Sequence, residues 1–174
     1  MKEVARYGFI LALICIIAAG LLAGVNTLTR SKIAAQAQAE EQAALKEVMP
    51  QAAKFTEVKL GQEKLYYKAV DTQDNLIGFV FTANGKGYSS VIKTLTGMFL
   101  NGKISAIKVM SLNETPGLGM RVTKNSFTRQ FNNQDALSLS GVQAITGATI
   151  SSKAIMNSVV KKAQEIKELI KSEK

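Results

Sequence analysis

The sequence contains no histidine and no tryptophan, a single cysteine, and aromatic residues at only 6%. Histidine is the commonest metal ligand and general base, so its absence excludes the usual zinc sites and histidine-based catalytic triads. One cysteine, Cys15, cannot form an intrachain disulfide or a CxxC pair. Any redox chemistry of this chain must therefore be carried by a bound organic cofactor.

Acidic residues are also scarce, with 13 Asp and Glu against 22 Lys and Arg, which gives a net charge of +9. This balance favours partners such as anionic lipid, nucleic acid or an acidic protein. The basic residues are mostly scattered lysines, without the interleaved aromatic residues that are typical of nucleic-acid binding. We therefore expect no nucleic-acid partner.

Charge is missing altogether between Arg6 and Arg30. Residues 7–25 form an apolar run that is long enough, at about 1.5 Å per helical residue, to cross the roughly 30 Å hydrocarbon core of a membrane. We expect residues 1–29 to be an N-terminal transmembrane anchor in contact with membrane lipid. Lys2 and Arg6 before the run are matched by Arg30 and Lys32 after it, so that only the free N-terminal amine favours a cytoplasmic N-terminus. This orientation places residues 30–174 on the extracytoplasmic side.

A cleaved signal peptide is the alternative to an anchor. Lys2 and Arg6 resemble a charged leader region, and Ala35 and Ala37 are small residues at cleavage-like spacing. The apolar run is too long for a signal peptide, however, and the small residues lie about ten positions beyond it. The uncleaved anchor is the better interpretation.

Beyond the anchor, the pattern predicts an α+β domain. Residues 30–50 are rich in Ala, Gln, Glu and Lys and predict a stalk helix. Within residues 51–174, hydrophobic patterning predicts four strands joined in two hairpins, and a helical period predicts a covering helix at the end. The strands are expected at 64–70, 76–83, 90–100 and 104–112, and the helix at 150–171. The fold class is therefore an antiparallel sheet with flanking helices, preceded by one transmembrane helix and a stalk helix.

Two glycine-containing loops are candidate functional segments. The first, NETPGLGMR at 113–121, follows a predicted strand and brings Pro116, Gly117 and Gly119 together. Such a loop can turn sharply and let the backbone approach a flat ligand. A plain turn with solvated charges at Glu114 and Arg121 is the alternative that this local pattern leaves open.

The second loop, TGATISSK at 146–153, stands directly before the predicted final helix. Thr146 or Thr149 has the side chain of an ordinary helix N-cap. Small residues at a helix start also expose backbone N–H groups to an anion, with hydroxyls from Ser151 and Ser152 and charge from Lys153 as further contributors. The stretch is not a Walker A loop, because no Gly-Lys-Ser/Thr follows at the required spacing.

Together the anchor, ETPGLG at 114–119 and TGATISS at 146–152 resemble a known family. This is the FMN-binding domain shared by the G subunit of the Rnf ferredoxin:NAD⁺ oxidoreductase complex and the C subunit of the sodium-pumping NADH:quinone reductase. The match covers nearly the whole chain, and its short length and Thr-Gly-Ala-Thr-Ile-Ser-Ser form are more similar to the Rnf subunit.

The resemblance implies that FMN is joined through a phosphoester to Thr149, placed there by a flavin transferase. It implies a phosphate anchor and a ring-contacting loop around the FMN. The anchor residues would be Thr146, Gly147, Ala148, Ile150 and Ser151, with Lys153 neutralising the phosphate. The ring-contacting residues would be Glu114, Thr115, Leu118 and Gly119. The sequence departs from the family pattern in two places: Gln143 stands where the transferase motif usually has Asp, and Ser89-Ser90 follow Gly87-Tyr88 where the family often has two glycines.

The function implied is electron transfer by a subunit of a membrane-bound, ion-translocating oxidoreductase complex, with the other membrane and peripheral subunits as partners. The chain would carry no catalytic residue and no independent catalysis. The equivalent quinone-reductase subunit is one alternative, and a non-enzymatic membrane-tethered assembly module, with both loops as structural turns, is another.

Overall fold

A computed structural model describes residues 2–60 and 63–172 of the chain. The chain divides into two compact units, one ending at Gln42 and the other beginning at Ala43. A single helix, α1 (Lys2–Val48), makes up the described part of the first unit and begins the second. The uncharged residues 7–25 of α1 are all exposed, and the helix is long and apolar enough to span a membrane. This finding agrees with the predicted anchor.

The second unit is built on a five-stranded antiparallel sheet in which consecutive strands are neighbours, in the order β1-β2-β3-β4-β5. The strands are β1 (Lys54–Leu60), β2 (Glu63–Val70), β3 (Leu76–Lys86), β4 (Val91–Phe99) and β5 (Ile104–Ser111). A final helix, α3 (Thr149–Ser172), follows after a stretch of short helical turns. The predicted α+β class, the four predicted strands and the tail helix are confirmed.

Strand β1 is the element that sequence reasoning missed. It lies at the edge of the sheet and pairs with β2 so that Phe55 faces Ala69 and Glu57 faces Tyr67. Its sequence, KFTEVKL, has three charged residues among seven. Edge strands need only one neighbour and often carry charges, so their hydrophobic pattern is weak.

The turns between strands follow the local chemistry that predicted them. In the β2–β3 turn, the Asp71 carboxylate accepts the backbone N–H groups of Gln73 at 2.7 Å and Asn75 at 3.0 Å. In the β4–β5 turn, Gly102 has a φ of +82°, which glycine adopts without steric cost. Both turns therefore fix antiparallel pairing between the strands that they join.

Helix α3 covers one face of the sheet. Its residues Ile155, Val159, Ala163 and Ile166 are fully buried at helical spacing, as the sequence pattern predicted. The side chains of β3 on this face become smaller toward the end of the strand, in the order Phe79, Phe81, Ala83, Gly85. The first turns of α3 can therefore approach the sheet more closely than its last turns.

The end of α1 covers the opposite face. Ala44, Leu45, Val48 and Met49 have no exposed surface and form a core with four residues of the sheet. Those four residues are Tyr67, Ala69, Val80 and Leu95. Residues 43–49 therefore belong to the core of the second unit.

Three short helical turns connect β5 to α3. They are a 3₁₀ turn at Gly119–Thr123, α2 (Asn125–Thr128) and a second 3₁₀ turn at Arg129–Phe131. Val122, Phe127 and Phe131 are fully buried, and the two phenylalanine rings pack edge to face with centroids 5.3 Å apart. This packing secures an otherwise irregular segment and carries the chain back to the start of α3.

We predict that Gly85→Ala will lower the free energy of unfolding by about 1–3 kcal/mol, the usual cost of overpacking a core. A Cβ at Gly85 would lie 2.3 Å from the backbone oxygen of Ala154, so α3 would have to move away from the sheet. Urea unfolding of the full chain in detergent, followed by tyrosine fluorescence, measures the loss. The neighbouring exposed residue provides the control, Asn84→Ala, which should change stability by less than about 0.5 kcal/mol. Equal midpoints for the two variants would refute the close contact.

Candidate functional site

Three separate segments meet beside the first turn of α3. They are the β3–β4 turn at 87–90, the loop after β5 at 112–118, and residues 146–151. The Glu114 side chain contacts the other two segments and is only 4% exposed. The alternative of a solvated surface charge at Glu114 is therefore wrong.

Both carboxylate oxygens of Glu114 accept hydrogen bonds. Oε1 accepts the backbone N–H groups of Ser89 at 3.0 Å and Ser90 at 2.9 Å, and the Ser90 hydroxyl at 3.3 Å. Oε2 accepts the Tyr88 N–H at 3.2 Å and the Ser151 hydroxyl at 2.7 Å. One side chain thus joins the β3–β4 turn to helix α3.

These contacts keep Glu114 ionised. Burial is the largest single effect and raises the pKa of the carboxyl group, but the hydrogen bonds from the Ser151 hydroxyl and the three backbone N–H groups together outweigh it. The pKa of Glu114 is therefore below its ordinary value of 4.5. A buried negative charge without a cationic partner is held here by hydrogen bonds alone, since no ion pair to Glu114 occurs among the described residues.

Two glycines leave the space that the carboxylate occupies. A Cβ at Gly87 would lie 2.6 Å from Glu114 Oε1, and a Cβ at Gly119 would lie 2.8 Å from Oε2. Both distances are too short for real atoms. Gly119 is therefore needed for close packing against Glu114, which adds a second reason for glycine in the predicted loop.

The TGAT segment forms the entry to helix α3. Gly147 adopts a φ of +82°, and a Cβ there would approach Leu118 of the first loop at 3.3 Å. The first α-helical bond of α3 runs from the Ser152 N–H to the Ala148 carbonyl, so Ala148 occupies the N-cap position and Thr149 is the first helical residue. Neither threonine therefore acts as the side-chain cap that the local pattern suggested.

An alanine N-cap leaves backbone donors free at the start of α3. A methyl side chain cannot accept a hydrogen bond, and the N–H groups of residues 149–151 have no acceptor among the described residues. Ser152 is already engaged, because its hydroxyl donates to the Ala148 carbonyl at 2.9 Å and accepts the Ile145 N–H at 3.1 Å. The helix start is rigid and has three unused donors, which suits a bound anion.

A cavity of about 510 Å³ opens between these segments. Its lining consists of Tyr88 and nine of the predicted site residues: Glu114, Thr115, Leu118, Gly119, Gly147, Ala148, Thr149, Ile150 and Ser151. Two predicted residues, Thr146 and Lys153, do not line it. The Thr146 carbonyl instead accepts a hydrogen bond from the Arg121 guanidinium at 3.2 Å, and Lys153 is exposed on α3.

Sequence reasoning did not assign Tyr88 or Arg121 to the site. Tyr88 is the only aromatic residue in the cavity lining, and its side chain is 72% exposed. Arg121 ties the first loop to the second across 25 positions of sequence. An exposed tyrosine in a Gly-Tyr-Ser-Ser turn is a signal that was available for Tyr88, whereas no local pattern indicates the Arg121 contact.

The cavity fits a small anionic organic cofactor. Its volume is within the range of about 300–1,000 Å³ that is typical of small-molecule sites. Thr149, with an exposed side chain in the lining, stands beside the three unused N–H groups. No group of three or more potential metal ligands occurs in the described parts of the chain. The arrangement suits an organic group with a phosphate at the helix start and a flat body against the first loop.

Comparison with known proteins matches two parts of the chain to family models. Residues 1–48 match the RnfG N-terminal region, and residues 87–164 match the FMN-binding domain. The second match includes both loops, the cavity and most of α3.

Several G subunits of known complexes match most of the chain, including three from Methanosarcina, Clostridium and Acetobacterium. The G subunit of an ion-translocating oxidoreductase complex from Methanosarcina acetivorans is 35% identical and matches 91% of this chain and 92% of its own. The G subunit of a proton-translocating ferredoxin:NAD(+) oxidoreductase complex from Clostridium ljungdahlii is 33% identical and matches 90% of this chain and 88% of its own. The G subunit of the Na(+)-translocating ferredoxin:NAD(+) oxidoreductase complex from Acetobacterium woodii is 32% identical and matches 91% of this chain and 89% of its own.

The crystal structure of Shewanella oneidensis NqrC has a related fold, with a TM-score of 0.51 at 17% sequence identity. The match covers 65% of this chain and 66% of NqrC. An N-terminal helix long and apolar enough to span a membrane, an FMN-binding domain and identity to G subunits along nearly the whole length occur together here. This chain belongs to the family of G subunits of ion-translocating oxidoreductase complexes, as a membrane-anchored member with an FMN-binding domain.

Proposed function

We propose that this chain is the electron-transfer subunit of a membrane-bound ferredoxin:NAD⁺ oxidoreductase complex and carries FMN bound covalently to Thr149. The observation that carries this proposal is the exposed Thr149 side chain beside three unused N–H donors, at the edge of a cavity in the FMN-binding domain. The names of the relatives from Clostridium and Acetobacterium supply the ferredoxin:NAD(+) reaction. NqrC shares the fold at low identity, so the quinone-reductase alternative has less support.

Thr149 would hold the FMN phosphate as a phosphoester, formed by a flavin transferase. The N–H groups of residues 149–151 would donate to the phosphoryl oxygens, where the positive end of the α3 dipole also favours negative charge. Gly147 and Ala148 would shape the turn, because a larger side chain at 147 would meet Leu118. Thr146 would act through its carbonyl bond to Arg121, and Lys153 would add a nearby positive charge.

Bound FMN would supply the redox chemistry, since its isoalloxazine ring accepts and releases electrons. Thr115, Leu118, Gly119 and Ile150 would form the surface against which the ring lies. Glu114 would position the site, because its two oxygens are engaged by the chain's own donors. The chain itself would need no general base and would have no independent catalysis.

In this proposal the N-terminus is cytoplasmic and the FMN domain is extracytoplasmic. The proposed division is a membrane anchor at 1–29, a stalk at 30–50 and the FMN-binding domain at 51–174, with the end of the stalk, residues 43–49, packed into the core of the domain. The other subunits of the complex are its electron-transfer partners. Subunits that copurify with the chain distinguish the ferredoxin:NAD⁺ complex from a quinone reductase.

We predict that the purified chain carries an added mass of about 438 Da, the mass of FMN less one water, and that Thr149→Ala loses it. Intact-protein mass spectrometry after expression with a flavin transferase measures the increment. Thr149→Ser should keep it, because a hydroxyl remains, and Thr146→Ala provides the matched control in the same loop. An unmodified wild-type chain would contradict the flavoprotein proposal and favour the assembly module.

A second prediction concerns Arg121. Arg121→Gln should slow flavin attachment several-fold, because the Thr146 carbonyl loses a charged donor and the acceptor loop becomes less ordered. The time course of in-gel flavin fluorescence with purified transferase measures the rate. Lys124→Gln removes another exposed positive charge three residues away and should label at the wild-type rate. Equal slowing in both variants would mean that only the general positive charge matters.

A third prediction uses the pH dependence of stability. Because the pKa of Glu114 is lowered on folding, its ionised form stabilises the fold above pH 4.5, and this contribution is lost as the pH falls through the folded pKa. Glu114→Gln should therefore unfold at a lower urea concentration than wild type at neutral pH, and the difference should shrink below pH 4.5. Glu168→Gln, at an exposed position of α3, should match wild type at every pH. A difference that is independent of pH would refute the role of the charge.

A further inference from the structure

The end of the domain that contains the cavity has an unusual charge distribution. We define this cavity end as residues 84–93, 113–125 and 143–156, the segments that contain the cavity lining. Its cationic side chains are all exposed and none has a carboxylate partner among the described residues: Lys86, Lys93, Arg121, Lys124 and Lys153. Its only acidic residue is Glu114, which is buried.

Acidic residues are placed toward the other end. Asp71 and Asp74 lie in the β2–β3 turn, at the opposite end of β3 from the cavity, and Glu165 and Glu168 lie in the second half of α3. The second half of α3 also carries Lys161, Lys162, Lys167 and Lys171, so that this end has exposed charges of both signs, whereas the exposed charges of the cavity end are all positive. A positive potential at the cavity end would attract a negatively charged partner and orient it toward the cavity.

Exposed apolar side chains accompany these cations. Beyond residue 33, the described chain has seven large apolar side chains that are strongly exposed, and five of them belong to the cavity end. The five are Tyr88, Val91, Leu118, Met120 and Ile150. Leu118 and Ile150 line the cavity and would lie against the proposed cofactor, which leaves Tyr88, Val91 and Met120 for contact with a partner. Aromatic residues, methionine and arginine are the residue types that are enriched at protein interfaces, where an apolar centre is surrounded by a polar rim.

The turn that presents Tyr88 is rigid. The N–H groups of Tyr88, Ser89 and Ser90 all donate to the Glu114 carboxylate, so the backbone of this turn is fixed while the tyrosine ring remains outside. A rigid, exposed aromatic residue loses little conformational entropy on binding. The structure therefore presents a preorganised, exposed tyrosine at an end of the domain where every exposed charged side chain is positive.

We propose that the cavity end docks onto a partner protein whose contact surface is an apolar patch ringed by Asp and Glu side chains. The proposal rests on the proposed electron-transfer function, since electrons that leave a cofactor in this cavity must pass to a group held by another protein. An anionic membrane surface is also attracted by cations and apolar groups, but it would cover the cavity mouth and separate it from a redox partner. A protein partner therefore agrees both with the positive charge of the cavity end and with the proposed electron-transfer function.

The test uses the full chain in its purified membrane complex, with the photo-crosslinker p-benzoyl-L-phenylalanine incorporated at Met120. The expected result is a covalent adduct to another protein subunit of the complex, through a peptide that contains Asp or Glu. The same crosslinker at Lys167, an exposed position in the second half of α3, is the matched control and should not yield that adduct. Mass spectrometry of the adduct identifies the peptide.

Charge reversal tests the electrostatic part of the proposal. Lys86→Glu combined with Lys124→Glu should lower the adduct yield at Met120 at least five-fold in about 0.1 M salt, and raising the salt to about 0.5 M should lower the wild-type yield in the same direction. Lys167→Glu should leave the yield unchanged. The proposal is overturned by an adduct to lipid alone, by no adduct, or by a yield that does not respond to charge reversal.

Flavin fluorescence of the same protein band keeps the two proposals apart. A fluorescent wild-type band without the predicted adduct refutes the docking surface and leaves the flavin proposal intact. A charge-sensitive adduct on a band without flavin supports the docking surface and refutes FMN attachment. Neither Lys86 nor Lys124 lines the cavity, so their variants should retain normal flavin fluorescence.

Discussion

The hydrogen bonds of the Glu114 carboxylate are the contacts on which the rest of the site depends. They connect a turn between two strands, a loop after the last strand and the first turn of α3, which are distant in sequence. A neutral side chain of the same shape would offer one acceptor oxygen where two are used. The low pKa of Glu114 means that this connection is complete throughout the neutral pH range. Gly87 and Gly119 are also needed, because a Cβ at either position would collide with the Glu114 carboxylate.

The sheet prepares this arrangement by the sizes of its side chains. Large phenylalanines at 79 and 81 fill the space between the sheet and α3, and Gly85 lets the backbone of α3 approach the strand closely at Ala154. Ser151 can then reach Glu114 at 2.7 Å. The opposite face has its own core, made with the end of α1. The sheet is thus stabilised on both faces while the cavity lies at its end.

The sequence predicted the parts of this structure that depend on local chemistry. Four strands, two hairpin turns and α3 follow from alternation, Asn-Gly and Asp-rich turns, and helical spacing, all of which act over a few residues. Strand β1 was missed because its edge position permits charges that weaken the alternation. The short turns at 119–131 were also missed, since they are held by tertiary packing of Val122, Phe127 and Phe131.

The site residues were predicted mainly from the resemblance to a family motif, and less from the local sequence pattern around each residue. The local pattern left Glu114 open as a solvated charge and Thr149 as a possible cap; only contacts across many residues decide that Glu114 is buried and that Ala148 holds the cap position. The Arg121 contact with the Thr146 carbonyl has no sequence signal at all. The identity of Thr149 as the flavin attachment point remains a prediction from family resemblance, supported by its place in the cavity lining.

The alanine at the N-cap of α3 has a consequence for how the protein matures. Helices prefer a serine, threonine, aspartate or asparagine at the N-cap, whose side-chain oxygen is present as soon as the chain folds. In α3, by contrast, no group among the described residues accepts the N–H groups of residues 149–151. If a phosphoryl group on Thr149 takes that place, the last stabilising contact of the helix is added after synthesis, by another enzyme. The melting temperature of the domain would then report whether its cofactor has been attached.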